Sequence, residues 1–450
     1  MTEGPVGRML FRLTLPMTFG IYSFMAFNFV DAVYIGRLGT LQLAAISFTF
    51  PVALVVGSLG QGLGVGASAV ISRAIGEGDE SNVRRLTTDT LILAFLGALL
   101  FASLGLVTID PLFRLLGAGD DVLPFIRQYM VLWYIGVPFV IIPMVGNNAI
   151  RATGDTRTPA MIMIMSAVAN AVLDPFFIFG IWIFPEMGIT GAALASLIAR
   201  AASLFIGLWV ISHRERLLTL ARPPLDIVVA SWRQILYIGL PAAGANALTP
   251  LSLAFFTGMV AVYGPAAVAA LGAGGRVAGL AMGVFMAICS VLTPFIGQNL
   301  GAGKAHRARA AIVRAQRFSL IWGLILFALL ALFARNVAML FATDPAVIDL
   351  IVCLLYIIPA SYGAFGVMMV STAAMNAYRR PIHASVLNAV RLFVLLVPLV
   401  IAGSLLFGLE GIFLAAAAAE IVTGALAFVV LRRITSRDAA EHSEVIQQEA

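Results

Sequence analysis

Residues 11–39 read FRLTLPMTFGIYSFMAFNFVDAVYIGRLG, and residues 236–264 read LYIGLPAAGANALTPLSLAFFTGMVAVYG. Each is an apolar run long enough to cross a bilayer, which takes about 20 residues of helix. Each carries the same landmarks, Leu15-Pro16 against Leu240-Pro241 and Gly39 against Gly264, at a shift of 225 positions. The shift holds further on: Gly76-x-Gly78 meets Gly301-x-Gly303, and a basic segment follows each pair. With small gaps, Asn170-Ala-Val then aligns with Asn388-Ala-Val, and Gly188-x-x-Gly191 with Gly408-x-x-Gly411. The chain is a duplicated membrane unit.

Working outward, composition agrees. The 450 residues are 61% hydrophobic and 11% charged, against roughly 25% charged in a soluble domain. Twelve apolar runs follow, at 11–35, 43–72, 88–109, 122–146, 159–180, 188–211, 234–260, 266–297, 315–334, 346–375, 382–406 and 410–431. The expected fold is all-α, with twelve transmembrane helices in two pseudo-symmetric six-helix bundles. An N-terminal lobe is expected over 1–220, a C-terminal lobe over 221–435 and a disordered cytoplasmic tail over 436–450.

Charge orients the chain, because cytoplasmic loops are enriched in Lys and Arg. Of 28 such residues, 21 fall in the terminal segments and alternate loops that share one side, Arg8 and Arg12, Arg84 and Arg85, and Lys304 and Arg307 among them. Only Arg37, Arg114 and Arg335 fall on the other side, and Arg127, Arg200, Arg276 and Arg391 lie inside runs. A missed span would swap sides from that point on, so the number of spans is even and both termini are expected in the cytoplasm of a bacterial inner membrane. The net charge of +6 therefore reports topology, and nucleic acid is not an expected partner. Cys289 and Cys353 lie within apolar runs, the four histidines share no metal spacing, and no P-loop is present. Catalysis, a bound cofactor and direct ATP drive are not expected.

Six spans per half make the repeats parallel, an arrangement that usually encloses a cavity near the membrane midplane and works by rocking. A channel would need a filter or a charged ring, and none is visible. The expected partners are the bilayer and a small organic substrate, with the chain acting as a monomer.

Five ordered motifs then carry a resemblance: Val30-Asp31-Ala-Val-Tyr-Ile-Gly36-Arg-Leu-Gly39, Ile71-Ser-Arg-Ala-Ile-Gly76-Glu-Gly78-Asp79, Arg151-Ala-Thr-Gly154-Asp155-Thr-Arg-Thr-Pro159, Asn170-Ala-Val-Leu-Asp174-Pro175-Phe-Phe-Ile-Phe-Gly180 and Gly191-Ala-Ala-Leu-Ala-Ser196. Together they resemble the multidrug and toxic compound extrusion (MATE) family, its DinF-like branch in particular. The resemblance implies antiport: lipophilic, cationic drugs or toxic compounds leave as protons or sodium ions enter. The alternative is a flippase or exporter of a lipid-linked or amphipathic metabolite. Other branches place acidic residues in the seventh and tenth spans, where this chain has only Asp349, near the outer end of the tenth. That departure favours an ion site in the N-terminal half.

Asp31 and Asp174 are the expected ion-coupling residues. A carboxylate inside a span is costly unless it faces a cavity, pairs or takes up a proton. Asp31 precedes Arg37, and Asp174 precedes Gly180, by six residues each, so both lie about 9 Å below the outer boundary at 1.5 Å per residue. Asn170 stands one turn from Asp174 on the same helix face, and Ser196 adds a hydroxyl. This oxygen set would also suit Na+, so H+ and Na+ both stay open as the coupling ion. The resemblance adds Asn147 to the site, although the span map puts it nearer the cytoplasm. Pro16 removes a helical hydrogen bond and is the expected hinge. Arg200 and Glu420, at equivalent places in the two halves, are expected to pair with polar groups inside their bundles, and Arg391 to snorkel to the inner face. Met282, Met286, Phe285, Met368, Met369 and Arg276 are the candidate lining of a substrate cavity, because Met adapts to varied shapes.

Overall fold

The computed structural model describes residues 1–438 apart from 28, 32, 39, 40, 43, 44 and 222. Gly39 of the repeat, and the expected tail from 439 on, lie outside the described residues. Among the described residues there is no strand.

Two compact units are formed, one by Arg12–Ala243 and one by Met1–Phe11 with the chain from Gly244 onward. The first holds α1 (Val6–Gly36) from Arg12 on, α2 (Ala45–Glu77), α3 (Glu80–Leu115), α4 (Leu123–Ile135), α5 (Pro138–Thr153), α6 (Arg157–Phe179), α7 (Gly188–Trp209) and the start of α8 (Leu225–Ala261). The fourth span is a bent pair, α4 and α5, meeting at 42°. Gly136 interrupts the helix there, and Pro138 begins the next with its absent N–H at a position that needs none. The division between the compact units falls at 243/244, inside α8. The reason is backbone contact: a Cβ on Gly62 or Gly66 of α2 would meet the carbonyl oxygen of Gly239 or Ile235 within 2.4 and 2.5 Å. The first half of α8 is locked onto α2.

The second unit continues through α9 (Pro265–Gly301), α10 (Ala305–Leu332), the short α11 (Ala334–Met339), α12 (Pro345–Ile357) and α13 (Tyr362–Ala377). The last helical stretch, Pro381–Asp438, is 58 residues long. Gly408 divides it at φ 61°, ψ −139°, a conformation that only glycine adopts readily, giving α14 over 381–407 and α15 over 409–438. Ten long apolar helices, the bent pair and this division account for twelve spans. Residues 1–4 dock on this unit: Lys304 Nζ donates to the Thr2 carbonyl at 3.2 Å and Arg307 Nη1 to that of Gly4 at 2.8 Å.

The repeated Gly-x-x-Gly now has a physical cause. The first glycine of each pair, Gly188 or Gly408, holds a positive φ (56° and 61°). The second, Gly191 or Gly411, presses on the preceding helix: an added Cβ would meet Phe177 O at 2.2 Å or Gly403 O at 2.0 Å. Both halves thus turn on one glycine and pack on the other.

Candidate functional site

The site begins with α6. Asp155 accepts hydrogen bonds from the backbone N–H groups of Arg157 (2.9 Å) and Thr158 (3.1 Å), which satisfies two of the free donors at a helix start. The helix then runs to Gly180, which caps it at φ 66°. Between these ends Asn170 and Asp174 share a face. Asn170 and Asp174 are completely buried, and Ser196 of the packed α7 is 4% exposed. Asn170 Nδ2 donates to Asp174 Oδ1 at 3.1 Å and to Ser196 Oγ at 3.2 Å.

This small network is short of donors. Asn170 Oδ1, Asp174 Oδ2 and Asp31 Oδ1 are all buried without a hydrogen-bond partner. Buried polar groups are normally satisfied, and each exception needs an explanation. Asp31 and Asp174 lie within electrostatic reach of one another, and Arg200 acts on Asp31. Two carboxyl groups, an amide oxygen and a hydroxyl with acceptors to spare are the donor types that a proton or a small hard cation requires.

One helical turn away the environment changes abruptly. Ile35, Ile178 and Ala192 form a buried apolar cluster, flanked by Tyr34 and Phe179. These residues stand four positions from Asp31, Asp174 and Ser196, so the polar site is roofed by hydrocarbon from the same three helices. The Tyr34 and Phe179 rings meet edge to face at 6.3 Å.

A family model described as MatE matches the chain twice, over residues 16–176 and 241–401. The chain belongs to the MATE family. The two matches are related by the same 225 positions that relate the two halves. This MATE protein is 40% identical to the "FAD transporter" of Shewanella oneidensis over 96% of each chain. It is 25% identical to "Multidrug export protein MepA" of Staphylococcus aureus, over 99% of this chain and 98% of the relative. Among solved structures, the Vibrio cholerae MATE transporter VcmN in its bent form superposes with a TM-score of 0.91 at 32% identity, covering 96% of this chain and 97% of that one. The protein is an integral multi-pass membrane transporter and not an enzyme.

Within the MATE fold the other expected residues fall as follows. Asn147 sits on α5, half-buried, and hydrogen-bonds none of Asp31, Asn170, Asp174 or Ser196. Pro16 lies in α1, one turn before Gly20, whose added Cβ would stand 3.0 Å from Ala160 Cα of α6. Met282, Phe285 and Met369 come together with Tyr362 and Trp322 in one cluster of the second unit. Phe285 is fully buried and Met368 is 3% exposed, whereas Met286 is 37% exposed and Arg276 is exposed. Arg391 does not snorkel. It is 8% exposed and pairs with Glu420 at 2.7 Å, because its helix turns it toward α15. Sequence reasoning missed Tyr129 of α4, a buried phenol within electrostatic reach of Asp31, Arg200 and Asp174. Its one signal was a hydroxyl-bearing ring inside an apolar span.

Proposed function

We propose that this MATE transporter is a cation-coupled antiporter, driven by H+ or Na+, that exports a bulky aromatic amphipathic molecule across a bacterial inner membrane. The observation that carries the coupling site is the group of buried, unpartnered oxygens on Asp31, Asp174 and Asn170. With Ser196 they would hold the exchanged cation, and the apolar roof at Ile35 and Ile178 would keep it from the outer water while they pack. Pro16 is the joint we assign to bending α1, since Gly20 anchors the helix to α6 one turn further on. The charge asymmetry supports both termini in the cytoplasm, and the chain acts as a monomer.

For the substrate we favour a flavin dinucleotide, because the 40% identical relative named for FAD matches over 96% of each chain. This is an amphipathic metabolite rather than a lipophilic cation. Cationic drugs are the second reading, favoured by the multidrug relative at 25% identity. The test is uptake of FAD and of ethidium into proteoliposomes under an imposed pH or sodium gradient. Uphill movement of FAD is expected, and it should collapse in Asp31→Asn. Uphill movement of ethidium alone would replace the first substrate reading with the second. No uphill movement of either, under any gradient, would overturn antiport. Coupled transport retained in Asp31→Asn would overturn the assigned site.

A further inference from the structure

The second unit holds a charged pair that the coupling site does not use. Along α14 the helix widens to a π-helical run over Val390–Leu396. Such widened turns occur frequently at functional sites. Arg391 stands in it. Its Nη1 donates to Glu420 Oε1 of α15 at 2.7 Å, and its Cζ lies 5.3 Å from the centre of the Phe365 ring on α13. Glu420 engages one corner of the guanidinium. Arg391 Nε is buried without a partner, as is Glu420 Oε2. The Nε–Nη2 edge is therefore left without a hydrogen bond from the protein, and a guanidinium edge grips two oxygens of a phosphate or carboxylate side by side. A pair that served only to neutralise two buried charges would need its remaining hydrogen-bonding groups satisfied to offset their desolvation. Here half of each group stays unpaired.

The internal repeat adds a second argument. The alignments of Asn170 with Asn388, and of Arg200 with Glu420, make α14 and α15 the counterparts of α6 and α7. In the first unit this helix pair gathers oxygen acceptors, which suit a cation. In the second it presents a guanidinium backed by an aromatic ring, which suits an anion carried by an aromatic molecule.

We propose that the unpaired edge of Arg391, beside the Phe365 ring, is an anion subsite that takes phosphate oxygens of the exported molecule. The subsite rests on the flavin-dinucleotide reading given above. Glu420 holds Arg391 in place by its other corner and leaves the gripping edge free.

The experiment measures equilibrium binding of FAD, and of riboflavin as the ring without phosphates, to the purified full-length transporter in detergent. Wild type is expected to prefer FAD. Arg391→Gln combined with Glu420→Gln removes both charges together, so neither is left buried alone. It should weaken FAD binding by roughly 10- to 100-fold, the range for losing charge-assisted bonds, and leave riboflavin binding nearly unchanged. Arg391→Lys keeps the charge without the fork and should fall between the two. Melting curves report whether each variant is folded, and Arg391→Lys carries the test where the double variant is not. Equal losses for FAD and riboflavin would show a packing role and overturn the subsite. So would a folded variant, double or Lys, that binds FAD as wild type does. A wild type that binds ethidium but not FAD would overturn the substrate reading, and the subsite with it.

Discussion

Gly191→Ala tests how the α6–α7 pair holds the candidate site. A Cβ at position 191 would stand 2.2 Å from the carbonyl oxygen of Phe177, where real Cβ contacts do not fall below 3.0 Å. The obstacle is backbone, so no side chain can swing aside and the helices must part. Phe177 lies three residues beyond Asp174 on α6, and Ser196 five beyond Gly191 on α7, so the separation reaches the site. The Asn170–Ser196 bond, now 3.2 Å, would lengthen to about 4 Å, beyond bonding range. Overpacking of this kind costs about 1–3 kcal/mol, and a buried amide N–H left without its acceptor about 1–3 kcal/mol more. We expect a destabilisation of about 2–6 kcal/mol together with loss of gradient-driven transport. Thermal unfolding in detergent and proteoliposome uptake measure the two effects. Gly207→Ala is the control, because it sits on the same helix with nothing within 4 Å of the new methyl. It should be neutral or stabilise by up to about 1 kcal/mol through helix propensity. If Gly191→Ala melts with the control and transports normally, the close approach does not hold the site.

Asp174→Asn should abolish uphill transport as Asp31→Asn does while the protein stays folded; a folded Asp174→Asn that keeps coupled transport would leave Asp31 to act alone. Ile178→Ala removes the centre of the apolar roof, and should cost about 2–5 kcal/mol as a large-to-small core change. It should also raise passive proton leak in empty-gradient liposomes, and a tight membrane would argue against a sealing role. Pro16→Ala should slow coupled transport without lowering the melting temperature; normal rates would reduce Pro16 to a static kink. Asp155→Ala removes the acceptor for two α6 donors and should cost about 1 kcal/mol, read as a lower melting temperature with coupling intact.

Much of the architecture was legible from pattern. Apolar run length, the one-sided distribution of arginine and the repeated landmarks specify twelve spans and a duplication, because a bilayer admits few ways to satisfy a helical backbone. The Gly-x-x-Gly landmark was visible without its reason, which is steric and appears only once Phe177 and Gly403 are in place. The separate helices of the fourth span were not legible, since Gly136 and Pro138 permit a bend without setting its angle. The division of α8 between the two compact units was not legible either, since the close approach of Gly62 and Gly66 to the first half of α8 is a backbone contact that no loop composition signals.

The sequence by itself determined that the chain crosses a membrane, that it is duplicated, and that intramembrane carboxylates lie in its first half. Hydrophobicity, charge and repetition are properties of the linear string and survive without coordinates. Only the tertiary structure decided which oxygens share Asn170, which of them are left without donors, and that an apolar roof lies one turn beyond. It alone joined Arg391 to Glu420 across two helices and left one edge of the guanidinium unpaired. Those outcomes depend on helix rotation and on backbone approach to within fractions of an ångström, which no spacing along the chain encodes.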